Sequence, residues 1–139
     1  MSRAALWLIA VLAVTMIAAS VFILEQGRAG IATTEISVGT TPATLYGTPD
    51  PSKPIVVVAH GFAGSRQLMQ AYSLTLARSG YAVLAFDSEG HGRNPVPMSG
   101  DVTSIDGTTA LLVDETRRVI AAARDLGGET SGVALLGHS

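Results

Sequence analysis

The spacing of apolar positions changes character several times along this chain, and each change predicts a different element. Residues 4–24 form a run of 21 uncharged residues, eleven of them Leu, Ile, Val or Phe. As a helix that run measures roughly 30 Å, close to the thickness of a bilayer's hydrocarbon core. It is apolar on every face, whereas a globular helix keeps a polar stripe. Residues 25–30 read as a polar, Gly-containing linker. Segments 31–38 and 43–46 are rich in Thr and β-branched residues, and Gly39 and Pro42 separate them, which predicts a hairpin of two modest strands. Pro49, Pro51 and Pro54 around Asp50 make residues 48–54 a loop.

From residue 55 onward the pattern alternates between buried strands and amphipathic helices. Residues 55–59 are continuously apolar, as expected of a strand covered on both faces of a parallel sheet. Ser65 can cap a helix over 65–79, with Leu68, Met69, Tyr72 and Leu76 on one face and Gly80 ending it. A second buried strand follows at 81–86. A helix is then predicted over 109–126, with Leu112, Val119, Ala123 and Leu126 in one stripe and Gly127-Gly128 stopping it. Residues 133–136 form a third buried strand. Strand, helix, strand, helix, strand implies right-handed crossovers and a parallel sheet with helices on both faces.

Flanking residues bear on the first segment. Arg3 precedes the apolar run, and only Arg28 follows it before Lys53, a weak bias that puts the N-terminus in the cytoplasm and the remainder outside. Ala18-Ala19-Ser20 could serve as a signal-peptidase site, but Val21 to Leu24 extend the span beyond it. A single-pass anchor over 4–24 is therefore expected, with secretion after cleavage as the alternative. The division is 1–3 cytoplasmic, 4–24 anchor, 25–30 linker and 31–139 folded domain.

Composition narrows the chemistry. The chain is 47% hydrophobic and 14% charged, too apolar for disorder, and its net charge of −2 with no Lys/Arg cluster leaves no footprint for nucleic acid. It holds no cysteine, which excludes disulfides, thiolate metal sites and thiol catalysis. No metal-ligand spacing is present, and no cofactor is implied.

In parallel sheets, functional groups gather beyond the carboxyl ends of the strands. Those positions read His60-Gly61-Phe62, then Asp87-Ser88-Glu89-Gly90-His91-Gly92, then Gly137-His138-Ser139. This trio, in this order, resembles the α/β-hydrolase family, most strongly over residues 55–139 and in the branch of monoacylglycerol-lipase-like enzymes and serine aminopeptidases. The resemblance implies an α/β fold class, the N-terminal half of a doubly wound α/β-hydrolase sheet, here preceded by the one transmembrane helix expected over 4–24. It implies that Ser139 is the nucleophile, with Gly137 and His138 opening its Gly-x-Ser-x-Gly elbow, although the last two elbow positions lie beyond residue 139. It also implies that the Phe62 backbone N–H faces the oxyanion while His60 and Gly61 shape the loop, and that Asp87, Gly90, His91 and Gly92 form a structural loop.

In this family the acid and the histidine follow the nucleophile. His60, His91, His138, Asp87, Asp101, Asp106 and Asp114 all precede Ser139 and are not expected in the triad. The reading is a truncated serine hydrolase, inactive as residues 1–139 alone. Its complete form would cleave a small-molecule carboxylic ester through an acyl-enzyme, or an amide in the peptidase variant. A membrane-tethered binding protein on the same fold, or an interrupted reading frame, are the rival expectations. A serine at the elbow argues against the family's dehalogenases and epoxide hydrolases, which place an aspartate there.

Overall fold

In the computed structural model, residues 2–127 and 132–138 are described. The chain divides into two units, Met1–Gly30 and Ile31–Ser139. The first is helix α1, Arg3–Gln26, long and apolar enough to cross a membrane by length and composition. Ser2 caps it by accepting the Ala5 N–H at 3.2 Å. The hydroxyls of Thr15 and Ser20 donate to the carbonyls one turn back, at 2.9 and 2.8 Å. Neither polar side chain in the apolar run therefore presents an unpaired donor to its surroundings.

The second unit is a five-stranded mixed sheet in the order β1-β2-β4-β3-β5. Its strands are β1 Thr33–Val38, β2 Thr41–Tyr46, β3 Ile55–Ala59, β4 Val83–Phe86 and β5 Val133–Gly137, and its α-helices are α2 Gln70–Arg78 and α3 Ala110–Gly127. β1, β2 and β4 pair antiparallel, whereas β4-β3 and β3-β5 are parallel. The hairpin expected from the sequence is present, but β2 begins at Thr41 and runs through Pro42 rather than after it. Pro42 sits next to the strand's first residue, where its missing N–H is tolerated, and its carbonyl accepts the Asp87 N–H at 3.0 Å.

Alternation along β3 and β4 divides the core in two. Ile55, Val57, Leu84 and Phe86 pack with Val119 and Ala123 of α3 on one face. Val56, Val58, Val83 and Ala85 pack with Met69 and Leu74 on the α2 face. Successive side chains of a strand point to opposite faces, so a continuously apolar strand needs a cover on each side.

Three expectations are corrected. The helix predicted from Ser65 starts only at Gln70, because residues 66–69 are held as turns while Arg66 binds groups elsewhere in the unit. Its buried side presents Met69, Ser73 and Leu74, whereas Leu68 and Tyr72 are exposed. β5, expected to be buried, pairs only with β3 among the described residues, and Leu135 stays 56% exposed. In α3, Val119 and Ala123 are buried as expected, but the stripe also carries a fully buried Glu115, and Leu126 is partly exposed.

Candidate active site

The carboxyl ends of β3, β4 and β5 lie side by side in the sheet, and the three loops singled out in the sequence extend from them. The His60 ring is fixed at both nitrogens. Its Nε2 lies 3.1 Å from the Ser88 backbone nitrogen and its Nδ1 lies 2.8 Å from the Gly61 carbonyl oxygen. A backbone N–H can only donate, so Nε2 is the acceptor, which leaves the proton on Nδ1 to be donated to Gly61. The Gly64 N–H donates to the same oxygen at 2.9 Å, and Ala63 adopts a left-handed φ of 59° to bring it there. Such a φ is costly for a residue with a Cβ, so the loop is held in shape by its surroundings.

The consequence falls on the next peptide group. A trans peptide points its N–H opposite to its C=O. Two donors gripping the Gly61 oxygen therefore aim the Phe62 N–H the other way, and among the described residues that N–H meets no acceptor. The Phe62 side chain is 74% exposed and meets the His91 ring edge-on at 5.5 Å.

Asp87, at the end of β4, is fully buried. Its carboxylate accepts the Arg66 N–H at 2.8 Å and the Arg93 N–H at 2.9 Å, tying the loops after β3 and β4 together. The buried Arg66 guanidinium lies 3.5 Å from Asp87 and 2.7 Å from Glu35 of β1. Asp87 thus joins the two loops through its two oxygens, and it is closed off from solvent. His91 is also buried, with Nδ1 2.8 Å from the Glu89 carbonyl and its ring 5.1 Å from that of His60.

At the end of β5, Gly137 lies opposite Ala59, and the His138 N–H donates to the Ala59 carbonyl at 3.1 Å. Among the described residues, nothing stands within 4 Å of where a Cβ on Gly137 would be. Ser139 lies outside the described residues. A cavity of about 330 Å³ opens between the first and third loops, lined by His60 to Gly64, Leu68, Met69, Tyr72 and His138. Among the described residues, no three His, Cys, Asp or Glu side chains converge as a metal site would require.

A family model described as serine aminopeptidase, S33, matches residues 50–139, from the loop before β3 to the end of the chain. The chain belongs to the S33 serine aminopeptidase family. Its fold is that of the α/β-hydrolases, and solved structures agree. The thioesterase domain of the curacin biosynthetic pathway is 26% identical with a TM-score of 0.55, over 79% of this chain and 37% of that one. A membrane phospholipase A, described as a bacterial virulence factor, is 25% identical with a TM-score of 0.53, over 100% of this chain and 44% of that one. TT1662 from Thermus thermophilus shares the fold at 24% identity and a TM-score of 0.60, over 78% of this chain and 47% of that one. This S33-family chain therefore spans less than half of each of these three structures. No curated protein sequence matches it.

Sequence reasoning missed Arg66, Glu35, Asn94 and Glu115. Only Glu115 left a signal, an acidic residue between Leu112 and Val119 in the apolar stripe of α3. Leu68 and Tyr72, expected on one helical face with Met69 and Leu76, line the cavity.

Proposed function

We propose that the complete protein is a serine hydrolase that cleaves carboxylic esters through an acyl-enzyme, with Ser139 as nucleophile. The observation that carries this reading is the grip of His60 and Gly64 on the Gly61 oxygen, which leaves the Phe62 N–H as a preset donor beside a cavity that reaches His138. In the proposed reaction, the Ser139 hydroxyl oxygen attacks the ester carbonyl carbon while a histidine later in the chain takes its proton. The carbonyl oxygen becomes an oxyanion that accepts hydrogen bonds from the Phe62 N–H and from the N–H of the residue after the nucleophile. The C–O bond then breaks, the alcohol leaves with the proton from the histidine, and water hydrolyses the acyl-enzyme by the same steps. Each preset oxyanion donor is typically worth about 2.7–4 kcal/mol to such a reaction. His60 has no proton-transfer role, because both of its nitrogens are already engaged.

Leu68, Met69 and Tyr72 give the cavity an apolar wall suited to the acyl part of an ester. Ester rather than amide cleavage is supported by the thioesterase and phospholipase among the similar structures. The family's description as serine aminopeptidases supports amide cleavage as the second reading. Residues 4–24 are proposed as a single-pass anchor and 25–30 as a linker, with residues 31–139 in the extracytoplasmic hydrolase domain.

The test treats the complete protein with a fluorophosphonate probe and with nitrophenyl esters. Wild type should be labelled and should turn over, and Ser139→Ala should do neither. Hydrolysis that survives Ser139→Ala would overturn the reading. Turnover of aminoacyl-amides in preference to esters would select the peptidase variant.

A further inference from the structure

Glu115 is fully buried on α3, and among the described residues its carboxylate accepts three hydrogen bonds. The Thr41 hydroxyl donates at 2.6 Å and the Asn94 amide at 3.1 Å, both to Oε1. The Glu89 backbone N–H donates to Oε2 at 2.9 Å. A buried carboxylate is costly unless its acceptors are filled, so this arrangement holds three elements in one geometry: β2, the loop after β4, and α3.

The Glu89 N–H and the Ser88 N–H belong to consecutive peptide groups. One is held by Glu115 and the other holds His60 Nε2. His60 in turn donates from Nδ1 to the Gly61 oxygen, whose peptide carries the Phe62 N–H. We propose that Glu115 is a positioning residue for the oxyanion loop, acting through the Ser88–Glu89 backbone on the orientation and tautomer of His60. This rests on the serine-hydrolase reading for its consequence in catalysis, while the coupling itself is structural. With Glu115 removed, the Glu89 N–H loses its acceptor, the loop after β4 relaxes, and the Ser88 N–H no longer forces the proton of His60 onto Nδ1.

The experiment uses the complete protein in detergent, labelled with 15N in histidine, with His60 assigned through His60→Gln. Long-range correlation spectra should show Nδ1 protonated and Nε2 unprotonated in wild type. In Glu115→Leu both nitrogen shifts should move toward tautomer-averaged values, and the Ser88 and Glu89 amides should exchange on the order of tenfold faster. Glu115→Gln keeps an acceptor for the Glu89 N–H but sets its NH2 against the Asn94 amide, so its shift should be intermediate. Ester turnover should fall in the same order, by about ten- to a hundredfold in kcat for Glu115→Leu with KM within about twofold.

A Glu115→Leu protein with wild-type circular dichroism and unchanged His60 shifts would overturn the proposal. If that variant does not fold, Glu115→Gln decides: a partial shift supports the coupling, and wild-type shifts with wild-type amide exchange overturn it. Response of His60 without any ester turnover in wild type would instead count against the hydrolase reading alone.

Discussion

The carboxyl group of Asp87 occupies the space that a side chain at position 92 would need. A Cβ built on Gly92 overlaps the Asp87 carboxyl, and Gly92 has a φ of +54°. The loop after β4 closes tightly around its own first residue, and Asp87 then has both oxygens free to accept N–H groups from two different loops.

Gly92→Ala should therefore destabilise the Ile31–Ser139 unit by at least about 1–2 kcal/mol, the ordinary penalty for a left-handed residue with a Cβ. The overlap with Asp87 adds to that. Chemical denaturation followed by circular dichroism measures it, and a wild-type midpoint would mean that the loop can open without loss.

Asp87→Asn keeps the shape but turns one acceptor into a donor facing an N–H. It also removes the anion beside the buried Arg66 guanidinium. A loss of about 1–3 kcal/mol is expected from the unpaired backbone group alone. The same denaturation measurement checks it, and Asp87→Ala should lose at least as much.

The role proposed for Phe62 belongs to its backbone. Phe62→Ala should leave ester turnover in the complete protein within a few-fold of wild type, because the N–H survives. Phe62→Pro removes that N–H and should lower kcat by on the order of 10²–10³. Thermal melts establish that both variants are folded. Equal losses in the two would move the donor elsewhere.

Acid should loosen the loop before α3 later than an ordinary carboxylate would suggest. The Thr103 hydroxyl and then the Thr103 N–H, at 2.7 and 2.8 Å, hold the Asp101 carboxyl below its usual value of 3.8. A lowered folded-state pKa means that the stabilisation is present in full above the ordinary carboxylate range. It is lost as pH falls through the lowered value. A pH titration of the Thr103 amide resonance should have its midpoint below 3.8, and a midpoint at or above that value would refute the assignment.

The anchor proposal has a direct readout. Protein with residues 4–24 intact should stay with membranes through high-salt and carbonate washes. Release of a shortened soluble form with a new N-terminus near Val21 would identify the segment as a cleaved signal.

Most of the fold was legible in the sequence because its causes are local. Strands at 55–59 and 83–86 are continuously apolar, and only a sheet covered on both faces satisfies such a pattern. The charge-free run at 4–24 likewise states its constraint in sequence. The candidate site was legible as three loops, because a parallel sheet places them at one edge.

The placements that went astray depended on partners distant in sequence. Ser65 offers a helix cap, but the Arg66 N–H is claimed by Asp87, 21 residues away, and the helix waits until Gln70. Leu68 and Tyr72 have the helical spacing of one face, yet the side that packs on the sheet is that of Met69, Ser73 and Leu74. Glu115 looks like a charge in the wrong stripe until Thr41, 74 residues earlier, is seen to donate to it. Periodicity alone determined which segments are strands and helices, and which faces of the central strands need cover. Tertiary structure decided where each helix begins and which polar groups belong inside, because a buried hydrogen bond depends on where two distant stretches of chain meet.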